Sequence, residues 1–127
     1  MRLGTYESVT VRVCIASQTA GRVKVYVTGV LVEGRIVGLL VTCDGVGTTL
    51  RGLLDNWCEM VRMALDAGVG LGEIREKMAL HEYEPKGVTD CEDPRLRFAR
   101  SVVDWAVRWA GFVEEGSAEP EPQRGAP

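Results

Sequence analysis

The sequence has one histidine, His81, in 127 residues, and its four cysteines, Cys14, Cys43, Cys58 and Cys91, form no CxxC pair. A single histidine excludes multi-histidine metal centres. Cysteines scattered this widely match neither zinc-site spacing nor the dense framework of a small secreted domain. Free thiols are the expectation, in a reducing cytoplasm. No apolar run approaches the ~20 residues needed to cross a bilayer. The N-terminal MRLGTYESV lacks the apolar segment of a signal peptide, so a cytoplasmic location is expected. There is no GxGxxG and no Walker lysine, which removes the dinucleotide fingerprint and the P-loop. Basic excess is missing too. Net charge is −3, and the C-terminal EEGSAEPEPQRGAP sets four glutamates against Arg124, so the remainder is neutral. A neutral body argues against general DNA or RNA binding.

What is present fits one ordinary globular domain, with 46% hydrophobic and 26% charged residues. In YESVTVRVCI, Val9, Val11, Val13 and Ile15 alternate with Ser8, Thr10, Arg12 and Cys14, the mark of a half-buried strand. RVKVYVTGVLV alternates again, with Val23, Val25 and Val27 on one side. SQTAG reads as a loop between them. Glu33-Gly34-Arg35 turns into a third strand over 36–43. The period then changes to helical: Leu50, Leu53, Leu54, Trp57, Met60, Val61, Ala64 and Leu65 form one stripe. Thr48 or Thr49 is the expected N-cap and Gly68 the stop, with Gly52 kept for close packing. A short helix over about 72–80 turns Ile74 and Met78 inward. Asp93-Pro94 starts a third helix running to about Gly111, which buries Leu96, Ala99, Val103, Ala106 or Val107, and Ala110. The expected fold is α+β: an antiparallel meander of three to four strands with two long helices and one short one packed on one face. Residues 1–112 form the domain, and 113–127 a disordered acidic tail rich in Pro and Glu.

Three features bear on function. At CDGVGTTLR the sheet passes into a helix N-terminus. Gly47, Thr48, Thr49 and Arg51 there make either a capped turn or an anion site, because free N–H groups and the helix dipole favour phosphate. Arg97, Arg100, Asp104 and Arg108 share one polar side of the third helix, as a solvated ion-pair ladder or as a basic stripe facing phosphates. HEYEPKGVTDCEDPRLRF interrupts the apolar periodicity and presents Tyr83 and Thr89 beside that helix. Trp57, Trp105 and Trp109 are spaced for core or oligomer packing, with base stacking the minor alternative. His81 with Cys91 is a weak nucleophile pair, and Ser101 and Asp104, one turn apart, make a poor triad. No catalytic residue, metal or cofactor is expected.

The segment LRGLLDNWCEMVRMALDAGVGLGEIREKM, followed by YEPKGVTDCEDPRLRFARSVVDWAVRWAG, resembles the C-terminal TSCPD-type domain of cobalamin-dependent ribonucleotide reductases. KVYVTG and GTTLR match that family's YVT strand and G-x-x-x-R helix entry. MALDAGVGLGEIREKM, YEPKGVTD and LRFARSVVDWAVRW follow in its order, over about residues 20–112. The namesake Thr-Ser-Cys-Pro-Asp string is absent. So are the cysteine that often precedes the YVT strand, the reductase barrel and its redox-active cysteines. The resemblance therefore implies the appended domain without nucleotide reduction. A second likeness, in plan and chain size, is to small phage proteins that counter Thoeris defence by sequestering cyclic ADP-ribose-type signals.

These readings give three functional expectations. The first is a non-catalytic binder of a nucleotide or nucleotide-derived signal, working as a homo-oligomer in the host cytoplasm if phage-encoded. Its Gly47, Thr48, Thr49, Arg51, Arg97, Arg100 and Arg108 are the candidates for holding phosphates, Tyr83 the candidate for stacking, and Thr89 a further ligand-binding candidate on the loop. The second is an accessory or regulatory partner of a ribonucleotide reductase. The third is a small enzyme using Cys91 and His81.

Overall fold

A computed structural model describes residues 6–116. Three long strands lead: β1 (Tyr6–Ser17), β2 (Gly21–Val32) and β3 (Arg35–Asp44). Helices α1 (Thr48–Asp66) and α2 (Leu71–Met78) follow, then β4 (Gly87–Thr89), a 3-10 turn (Pro94–Leu96), β5 (Phe98–Ala99) and α3 (Val102–Glu114). The sheet is antiparallel throughout, in the order β3-β2-β1-β4-β5. This is the expected α+β class. The loop supplies one short strand and the beginning of the expected third helix another, so the sheet has five.

Alternation in the sequence becomes two faces. Val11, Val27 and Val41 share one cross-strand row, and Val13, Val25 and Cys43 the next. All six are buried, and the helices close over them in one core. The opposite face carries Thr10, Thr28 and Leu40 in one row and Arg12, Tyr26 and Thr42 in another. Thr10 and Thr28 hydrogen-bond through their hydroxyls at 2.8 Å, a cross-strand pair typical of a wet sheet surface. Glu33 and Gly34 turn β2 into β3 with φ of 53° and 80°, the backbone of a tight two-residue hairpin. Gly29 leaves room in β2 for Trp109: a Cβ there would lie 3.5 Å from the indole and 3.0 Å from Ile36 Cδ1.

The helices depart from expectation in five ways. The third helix starts at Val102, eight residues after Pro94. Asp93 does cap, but what it caps is the 3-10 turn, with its carboxylate accepting from Arg95 N at 3.0 Å. Ser101 caps α3, accepting from Asp104 N at 2.9 Å. At its other end α3 continues to Glu114, past the expected stop at Gly111 and the domain boundary at 112. Glu114 accepts from Ile36 N at 2.8 Å and Glu115 pairs with Arg75 at 3.6 Å, so both belong to the body. The rest of the predicted tail, 117–127, lies outside the described residues. The N-cap of α1 is Gly47 in place of a threonine. Gly52 faces open space and serves no close packing. Finally, Leu53, Met60 and Met78, read as inward, are exposed.

Trp105 and Trp109 are buried and stacked, with centroids 6.4 Å apart and planes at 9°. Phe112 is sandwiched between the guanidiniums of Arg95 and Arg75, at 4.0 and 4.7 Å from its ring centre. These contacts tie the end of α3 to the 3-10 turn and to α2.

At Gly87 φ is +157°, and a Cβ there would overlap the Ala16 carbonyl oxygen on the neighbouring strand. Gly87→Ala must push β4 off β1. We expect it to cost about 1–3 kcal/mol or more in urea unfolding, whereas Gly47→Ala, facing open space, should change stability far less.

Candidate functional site

The interrupted stretch between α2 and α3 is stitched to its surroundings by its polar side chains. Glu84, followed by a cis peptide to Pro85, accepts at Oε1 from Ser17 Oγ (3.0 Å), Thr19 Oγ1 (3.1 Å) and Lys86 N (3.2 Å). Asp90 Oδ1 accepts from Cys14 N at 2.9 Å, and Asp90 N donates to Cys14 O at 3.2 Å. Thr89, buried, donates to Leu96 O at 2.6 Å, and its own N–H goes to Arg97 O at 2.8 Å. Trp105 Nε1 donates to the same Leu96 carbonyl at 2.8 Å.

Asp104 is the centre of this web. It is fully buried. Oδ1 accepts from Leu80 N at 2.6 Å and Arg108 Nε at 3.1 Å, and Oδ2 from Arg100 N at 3.0 Å and Arg108 Nη2 at 2.8 Å. Burial pushes its pKa up. The Arg108 guanidinium and the N–H groups of Arg100 and Leu80 outweigh that and hold the carboxyl below its usual range. Leu80 sits at φ 71°, an uncommon backbone state for leucine. The short bond to Asp104 holds it there.

Between this loop and α1 lies an apolar cleft of about 230 Å³, lined by Leu50, Leu53, Leu54 and Trp57 of α1, Tyr83 and Pro85 of the loop, and Val102 and Val103 of α3. Tyr83 is held by its backbone N–H to Arg100 O at 3.0 Å, while its side chain stays 46% exposed. The cleft therefore offers two aromatic surfaces in an aliphatic setting. It lies beside the start of α1, where Gly47 provides no side-chain cap and the first turn holds no acidic residue. First-turn N–H groups in that state favour an anion.

The structure thus places Tyr83 in the cleft wall, which reaches the first turn of α1 through Leu50; Gly47, Thr48 and Thr49 are not in its lining. The other candidates go elsewhere. Arg51 leaves the helix on the flank of Asp55 and Arg62, roughly 100° around from Leu50, and does not line the cleft. The arginine stripe is not one helical face, because Arg97 and Arg100 precede α3. Arg97 donates to the carbonyls of Cys91 (3.2 Å) and Glu92 (2.9 Å). Arg100 lies 3.5 Å from Glu82. Arg108, beyond its bonds to Asp104, donates to Arg95 O (2.7 Å) and Phe98 O (2.6 Å). Thr89 and Arg108 have structural roles. Trp57, read as core or oligomer packing, and Leu50, read on the buried stripe, are half-buried against the core and also line the cleft, whereas Leu53 is exposed on its wall; the signal in the sequence was a stripe too wide for one buried face. Burial pushes the Cys43 thiol up to about 11, with Asp44 adding and Arg51 opposing. Cys58 is raised by burial as well. Both thiols are thereby held in the unreactive protonated form.

Comparison with known proteins finds vitamin B12-dependent ribonucleotide reductases. The enzyme of Rhodopirellula baltica is 33% identical over 85 residues, covering 67% of this chain and 8% of that protein. That of Streptantibioticus cattleyicolor is 39% identical over 62 residues, 49% of this chain and 10% of the relative. That of Agrobacterium fabrum is 30% identical over 91 residues, 71% and 7%. The chain is similar to a segment of these reductases and spans a tenth or less of their length. No family model and no solved structure matches it.

Removing the Asp104 carboxylate leaves Arg108 and two backbone donors without their partner. Asp104→Ala should cost about 3–5 kcal/mol. Because the folded-state pKa is depressed, the carboxylate's contribution is complete above the unfolded aspartate pKa of about 4 and fades as pH falls through the folded value. Unfolding measured from pH 7 to pH 2 should show the gap between Asp104→Ala and the unmodified protein closing in acid.

Proposed function

We propose that this chain is a non-catalytic binding domain of the reductase-appended TSCPD type, and that it sequesters a nucleotide or nucleotide-derived signal in the cleft between α1 and the loop. The observation that carries this reading is the pairing of an apolar, aromatic-walled cleft with an uncapped helix start. A base lying against Tyr83 and Trp57 gains stacking and burial. Its phosphate then reaches the N–H groups of Gly47, Thr48 and Thr49. The cleft is smaller than a drug-sized site of about 300–1,000 Å³, which suits one base rather than a whole dinucleotide. What supports binding without turnover is that the polar groups nearby, Glu84 and Asp104, are consumed by structural hydrogen bonds. A cyclic ADP-ribose-type or cyclic oligonucleotide signal fits this chemistry. The protein then works as a sponge in the cytoplasm, the plan of phage proteins that counter Thoeris defence. No helix among the described residues is long and apolar enough to cross a membrane.

A second reading rests on the alignments with vitamin B12-dependent ribonucleotide reductases: the domain is an accessory or regulatory partner of such an enzyme. The two readings separate experimentally. Calorimetry with a panel of nucleotide signals should find one bound stoichiometrically and recovered unchanged. Tyr83→Ala should weaken it about tenfold or more, given stacking worth about 1–3 kcal/mol per base. Arg108→Lys should act through stability alone. Absence of binding across the panel, with a reductase retained on immobilised protein, would transfer the proposal to the partner reading.

A further inference from the structure

We propose that α1 carries a second, unpartnered seam and that a second copy of this chain covers it, in an antiparallel α1–α1 pair. The inference is independent of the nucleotide reading. The buried side of α1 is set by Leu54, Cys58 and Val61. On the opposite side stand Thr49, Leu53, Asn56, Met60, Met63 and Ala67, all exposed. Their separations alternate between four and three residues, the spacing of a coiled-coil seam. None is charged. Leu53, Met60 and Met63 remain 61%, 62% and 55% exposed, which is unusual for three large apolar side chains on one line.

The seam is self-complementary when run antiparallel. A two-fold axis level with residue 58 sets Leu53 of one copy against Met63 of the other, Asn56 against Met60, and Thr49 against Ala67. Each of these three pairs falls in register at once. Trp57, at the seam's margin, then meets Trp57 of the second copy beside the axis, where a large aromatic adds most to an interface. A helix of this length is roughly 28 Å long. Contact over all of it, with Trp57 and the exposed Tyr83 at the margin, reaches the order of the ~800 Å² per partner of a standard interface.

Charge agrees with this direction and with no parallel one. The first turn of α1 has no acidic residue and its last turn no basic one. Asp66, in the last turn, opposes its own helix dipole. Antiparallel pairing brings Asp66 of the second copy level with the uncapped first turn, and aligns the two dipoles favourably. Glu59, which approaches its own symmetry mate, is already paired with Arg62 at 2.8 Å. The second copy also closes the open side of the Tyr83 cleft, because Leu53 and Trp57 belong to both surfaces.

Sedimentation velocity on ligand-free protein tests this. At about 100 μM, well above the micromolar limit expected for an interface of this size, the unmodified chain should run as a dimer of its 13.9 kDa mass. Met60→Glu should run as a monomer with an unchanged circular dichroism spectrum. Leu40→Glu, equally exposed at 59% but on the outer sheet face, should remain a dimer. Oxidised with diamide, Leu53→Cys/Met63→Cys should form a disulfide-linked dimer, and neither single variant should. A monomeric unmodified chain, a dimer indifferent to Met60→Glu, or cross-linking by Leu53→Cys alone overturns the proposal. Since no nucleotide is present, these outcomes are separate from any failure of the calorimetry.

Discussion

The carboxylate of Asp104 is the interaction on which the helical half of the molecule depends. It joins three segments that share no secondary structure: the end of the α2 excursion at Leu80, the strand exit at Arg100, and α3 itself through Arg108. A buried ionised group is costly unless every lone pair is answered. Here four donors answer two oxygens, and two of the donors belong to one cation, Arg108. Arg108 passes the connection on to the carbonyls of Arg95 and Phe98. A loop with few apolar side chains is thus tied to the body by hydrogen bonds. The cleft inherits its shape from that loop, because Tyr83 and Arg100 are joined through the backbone.

The strands were legible in the sequence because the physics that sets them is local. Alternation of Val9, Val11, Val13 and Ile15 admits one period, and Glu33-Gly34 admits one kind of turn. The start of α3 was not legible, for a physical reason. Asp93-Pro94 is a sound helix start and does nucleate a 3-10 turn. Phe98 and Ala99 are then drawn into the sheet by pairing with Val88 and Gly87, a long-range preference that no window of neighbouring residues contains. Once the helix began in the wrong place, Arg97 and Arg100 fell on a helical face that does not exist.

The candidate site divides along the same line. The helix entry at Gly47, Thr48 and Thr49 and the exposure of Tyr83 were readable from turn chemistry and composition. That Thr89 and Arg108 point inward was not. A threonine in a polar loop and an arginine in an i,i+4 pair with an aspartate look solvated until the carbonyls of Leu96, Arg95 and Phe98 are placed beside them. The width of the apolar stripe on α1 was visible throughout. Leu53, Trp57 and Met60 extend past what one sheet can cover, and the excess is what forms the cleft wall and the outer seam.

The placement of α1 along β3 has a consequence for how the molecule meets others. Leu39, Val41 and Cys43 retain 1%, 3% and 0% of their surface, so the helix shields the backbone of what would otherwise be a ten-residue uncovered margin. The far margin is the two-residue β5. A sheet finished in this manner offers little template for another chain's backbone, the route by which stray strands recruit one another into fibres. Recognition is left to side chains, which discriminate among neighbours where hydrogen-bonding edges do not. For a domain this rich in valine strands, that arrangement separates specific pairing from indiscriminate polymerisation.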